Sequence, residues 1–74
     1  MDGKPLILIV EDEPEVLKIN ARLFKRRGYN VLTAATAGES FRCLSENAPD
    51  MLILDVMLPD GSGYDICESF RKKS

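Results

Sequence analysis

A chain of 74 residues holds one small domain, and a domain that short buries only about 60% of its unfolded surface. With 45% hydrophobic and 30% charged residues it reads as soluble and globular, neither disordered nor membrane-spanning. A formal charge of −2 gives no electrostatic reason to expect direct nucleic-acid binding.

Leu6 to Val10 is a continuous apolar run of branched residues, the pattern of a strand buried on both faces inside a parallel sheet. It is far too short for a signal peptide or a membrane span, so the expected compartment is cytoplasmic. The run ends in Glu11-Asp12-Glu13 and then Pro14, which suits the first turn of a helix. From Pro14 to Arg27, Val16, Leu17, Leu23 and Phe24 recur at helical spacing, and Gly28 is a good stop. The basic clusters Lys25-Arg26-Arg27 and Arg71-Lys72-Lys73 fall where helices should end and complement the helix dipole there.

Val31 to Ala34 is a second, shorter strand. Thr36 and Glu39 have the spacing of a capping box, and Phe41 and Leu44 supply the apolar stripe of the helix it opens, which Asn47 to Asp50 terminates. Met51 to Leu54 reads as a third strand, again buried on both faces, and runs directly into Asp55. A loop with Pro59, Gly61 and Gly63 follows. A last helix carries Ile66, Cys67 and Phe70, with Tyr64 and Asp65 facing solvent at its start. Cys43 and Cys67, in a chain with no histidine, exclude the usual zinc spacings and any Cys–His nucleophile pair; both read as small core or half-buried thiols.

Strands alternating with helices through short connections specify an α/β fold, a parallel sheet with right-handed crossovers and helices on both faces. Chemistry in such sheets gathers beyond the C-terminal ends of the strands. There the first strand delivers Glu11 and Asp12, and the third delivers Asp55. If the two strands are neighbours, three carboxylates converge, and that is strongly unfavourable unless a proton or a cation offsets the charge. All-oxygen donors in an open pocket select a hard cation, and magnesium suits one or two carboxylates plus a phosphate. A carboxylate beside such a metal can act as nucleophile toward a phosphoryl group. Acidic residues after a strand also simply cap the next helix, and Glu13 is assigned that role. Glu11 and Asp12 taken alone could do the same; Asp55 could not so easily, because no helix begins until several residues later.

These residues resemble a known family. Ile9-Val10-Glu11-Asp12-Glu13 looks like the acidic end of the first strand in response-regulator receiver domains. The stretch from Leu54 through Asp55, Pro59 and Gly61 to Gly63 looks like that family's phosphoacceptor loop, and the interval from Asp12 to Asp55 suits it too. The resemblance implies a flavodoxin-like sheet of order 2-1-3 and a function in two-component signalling. Asp55 would accept the phosphoryl group from a phosphohistidine on a sensor histidine kinase or phosphotransfer protein. Asp12 would ligate magnesium directly, Glu11 would help through water, and the main-chain carbonyl of Met57 would be a further ligand. Pro59 and Gly63 would shape the loop.

A complete receiver has five strands, so residues 1–74 are expected to form an incomplete one. The last two strands and helices would be missing, with the Thr or Ser and the Lys that bind phosphoryl oxygens. Strand three would then have an unpaired edge, and self-association through that edge is expected. Two other functions compete. An inert, self-associating fragment would keep fold and metal site without efficient phosphotransfer. An aspartate-nucleophile phosphatase needs a second Asp two residues after the nucleophile, where this chain has Met57. On the leading reading the domain is a phosphoacceptor switch, not an enzyme with a free product.

Overall fold

The computed structural model describes residues 3–54 and 63–73. In chain order the elements are β1 (Leu6–Val10), α1 (Pro14–Arg26), β2 (Asn30–Ala34), α2 (Ala37–Glu46), β3 (Met51–Leu54) and α3 (Gly63–Lys73). The strands form one parallel sheet in the order β2-β1-β3, with Val10 opposite both Ala34 and Leu54. Gly63 is the first residue of α3 rather than part of the preceding loop; Pro59 and Gly61 lie outside the described residues.

β1 is the central strand, and Ile7, Leu8, Ile9 and Val10 are all essentially inaccessible to solvent. Alternation sends these side chains to opposite faces. Leu8 and Val10 join Ala34, Ala37, Leu44 and Ile66 in a core under α2 and α3, which leaves Ile7 and Ile9 for the face that carries α1. Fully burying each such side chain stabilises the fold by about 1.5–3 kcal/mol. At the N-terminal end of the sheet the Leu6 N–H donates to Asp50 Oδ2 at 2.8 Å, and the Asp50 N–H returns a bond to the Leu6 carbonyl, also at 2.8 Å. That exchange sets the β1–β3 register.

Three apolar assignments differ from the sequence reading. α1 has no fully buried residue: Leu17 and Phe24 are half-buried, whereas Val16 and Leu23 stand exposed beside Ile19. The helix rests on β1 and β2 by one narrow side, and nothing among the described residues covers the flank carrying that stripe. α2 buries Ala37, Ser40 and Leu44, while Phe41 is exposed. Small residues on its inner side let α2 sit close to the sheet, and Ser40 satisfies its hydroxyl by donating to the Ala37 carbonyl at 2.7 Å. β3 is not buried on both faces: Leu52, Ile53 and Leu54 are half-buried and Met51 is exposed, as befits an outer strand among the described residues. Cys43 and Cys67 are free, half-buried thiols.

Candidate functional site

The C-terminal end of β1 is built by its backbone first. The Glu11 N–H donates to the Ala34 carbonyl at 3.0 Å, the last rung tying β1 to β2. The chain then leaves the sheet, and the Glu11 side chain folds forward so that Oε2 accepts from the Glu13 N–H at 3.1 Å. Glu13 is the N-cap residue of α1, with an extended backbone (φ −84°, ψ 111°), and its carbonyl accepts from the Leu17 N–H at 2.9 Å. Its carboxylate makes no capping bond. The capping role assigned to Glu13 is therefore carried out by its backbone, and the acidic side chain that brackets the turn belongs to Glu11. Pro14 follows at the first helical position, where a missing N–H costs nothing.

Asp12, between these two, is exposed and its carboxylate has no hydrogen bond or ion pair among the described residues. Glu11 is partly buried and keeps Oε1 uncommitted. The end of β2 is held separately. Thr36 Oγ1 accepts from the Glu39 N–H at 3.1 Å, and Glu39 Oε1 accepts from the Ala35 N–H at 3.2 Å. The capping box thus closes one residue before the cap itself.

Because β1 and β3 run parallel with Val10 opposite Leu54, the two strands end at the same level. Glu11 and Asp12 follow one end in sequence; Asp55 follows the other. Asp55 and Met57 lie outside the described residues. Among the described residues no group of three acidic, histidine or cysteine side chains is close enough to hold a metal. What is present is a pair of adjacent carboxylates at a strand terminus, one of them unpaired, with only oxygen donors. That donor chemistry fits a hard divalent cation such as magnesium and disfavours zinc or copper. Glu11, which taken alone could have capped the helix, instead brackets the turn before it by accepting from the amide of the N-cap residue.

The profile of the response regulator receiver domain matches residues 7–74. The transcriptional regulatory protein KdpE of Mycobacterium tuberculosis is 41% identical over 66 residues, covering 89% of this chain and 29% of KdpE. The regulatory protein VanR of Enterococcus faecium is 40% identical over 67 residues, covering 90% of this chain and 29% of VanR. The chain thus spans under a third of these relatives. Among solved structures, the non-phosphorylated HemR receiver domain of Leptospira biflexa superposes with a TM-score of 0.87 at 37% identity, covering 96% of this chain and 57% of that one. The response regulator TrrA of Thermotoga maritima, solved with Mg2+ and BeF, superposes at 0.85 with 30% identity, covering 95% of this chain and 61% of that one. Sheet order, helix placement, the acidic end of β1 and these likenesses agree: the chain belongs to the response regulator receiver domain family, whose members act as signalling switches.

Proposed function

We propose that this chain is a phosphoacceptor element of two-component signalling, with Asp55 as the acceptor. The observation that supports it best is the matched ending of β1 and β3, from which Glu11-Asp12 and Asp55 follow directly in sequence. In this reading Asp55 attacks a phosphohistidine of a cytoplasmic sensor kinase or phosphotransfer protein. The P–N bond breaks, imidazole departs, and an acyl phosphate forms. Asp12, Glu11, Asp55 and the Met57 carbonyl would hold magnesium. When bound, the cation offsets the crowded negative charge of the carboxylates and of the transferring oxygens. Glu11 also holds the turn that fixes where Asp12 stands.

The test is a magnesium titration followed by beryllofluoride, read by NMR. Saturable shifts at Glu11 and Asp12 are expected with magnesium and are expected to weaken in Asp12→Asn. A further beryllofluoride-dependent set is expected to vanish in Asp55→Asn. Magnesium shifts without any beryllofluoride response would favour the second reading, a self-associating fragment with a metal site and no phosphotransfer. That reading draws support from β3, whose outer edge and exposed Met51 form a surface able to take another copy of the chain. No response to either ligand would overturn the metal-site assignment.

A further inference from the structure

Away from the acidic end, a groove of about 700 Å³ opens between α1 and β2. Leu17 and Ala21 give it an apolar floor, and Thr33 closes its β2 side. Lys18, Arg22, Lys25 and Arg26 form its wall, and among the described residues no acidic side chain lines it. All four cations are exposed, and none has an ion pair or hydrogen bond from its side chain among the described residues. Four unpaired positive charges along one helix flank, in a chain of net charge −2, are an unbalanced local feature.

The strand beneath them is the other outer strand of the sheet. Asn30 donates to the Pro5 carbonyl at 2.9 Å, and the Ala34 carbonyl accepts from Glu11. In a parallel ladder alternate residues serve one neighbour, so Asn30, Leu32 and Ala34 turn their backbone groups toward β1. Those of Val31 and Thr33 therefore point outward, beside the groove. The cationic wall and the open strand edge share one side of the molecule.

We propose that this edge is a docking site for an extended acidic segment of a partner protein, added to β2 as a strand with its carboxylates under the flank of α1. The spacings agree. Alternate side chains of a strand lie about 6.6 Å apart, and helix positions four apart, such as Lys18 and Arg22, are separated by about 6 Å along the axis. Main-chain bonds to Val31 and Thr33 would give affinity, and alternate carboxylates would give selectivity. A peptide fits better than a long polyanion, because Glu11, Asp12, Glu13 and Glu15 crowd the N-terminal end of the same helix and would repel nucleic acid or an anionic bilayer extending past the groove.

The probe is a capped octapeptide of alternating Glu and Val, titrated into the full chain and followed by NMR and amide hydrogen exchange. Saturable shifts are expected along positions 17–26 and 31–33, with exchange at Val31 and Thr33 slowed tenfold or more and Leu32 unchanged. The charge variant Arg22→Glu/Lys25→Glu should weaken binding at least tenfold. Thr33→Pro should abolish it with the fold intact, since the lost N–H does not serve β1. Equal binding of a Lys-Val peptide, equal shifts with a short DNA duplex or with phosphatidylglycerol vesicles, protection confined to β3, or no binding would each overturn the proposal.

Discussion

Cys43 lies half-buried on α2, and its thiol is pushed above its ordinary value near 9.0. Burial is the main cause; the carboxylates of Glu46 and Glu39 act in the same direction, and Arg42 opposes them. The thiolate is the reactive form, so alkylation of Cys43 by iodoacetamide at a pH about equal to that ordinary value should be slower in the folded chain than in urea. Peptide mapping by mass spectrometry would read the ratio, and equal rates would show that the folded environment does not restrain the thiol. The linkage follows from the same shift. The native state holds this proton to higher pH than the unfolded state does, so the contribution to stability is complete below the ordinary thiol value and declines as pH rises through it. Cys43→Ser should remove that part of the alkaline slope. None of this was legible in the sequence beyond the expectation of a half-buried thiol, because the shift comes first from burial, which depends on what packs against α2, and only then from the carboxylates one turn away on either side. Glu11 shows the same limit: its position announced acidic chemistry, but its bond to the Glu13 amide is a property of the turn.

At the scale of elements, boundaries were most legible where a local rule has one physical cause. Thr36 with Glu39, Pro14 at the first helical position and Gly28 after α1 all stand where the sequence implied. Faces were less legible, since they depend on what packs opposite: Phe41 suggested the inner side of α2 by its size, yet Ala37, Ser40 and Leu44 occupy that side. Two variants test the termini. Thr36→Ala removes the oxygen that accepts from Glu39 and should cost about 1 kcal/mol, read as a lower urea midpoint at constant slope. Gly28 has φ +96°, and a Cβ built there meets nothing within 4 Å. Any cost at Gly28 is therefore backbone strain and not collision, about 1–2 kcal/mol for Gly28→Ala. Gly28→Asn should lose less, because Asn tolerates the left-handed region. Equal losses for Ala and Asn would contradict a purely conformational origin.

For the molecule as a whole, strand–helix alternation made the fold class and the parallel sheet legible, the resemblance to receiver domains supplied the order β2-β1-β3, and the acidic strand ends marked where to look for chemistry. The asymmetry of the two sheet faces was not legible, because it depends on which elements sit over which strands. α2 and α3 close one face over a buried core. On the other, α1 leaves Val16, Ile19 and Leu23 exposed along one flank, and Met51 is exposed on β3. A small sheet with an open apolar edge lowers its free energy by pairing that edge. Asp50 turns its N–H toward β1, so by alternation the backbone groups of Met51 and Ile53 face outward and are available to a second copy. The 74-residue chain should therefore show concentration-dependent association by sedimentation. Met51→Lys puts a charge on the outer strand in both copies of a β3–β3 seam and should shift the chain to monomer. Ile53→Pro removes an outward N–H without touching the β1–β3 ladder and should do the same. If both variants associate as strongly as the parent, the contact runs instead through the Val16, Ile19 and Leu23 flank, and Ile19→Glu should then be the change that dissolves it.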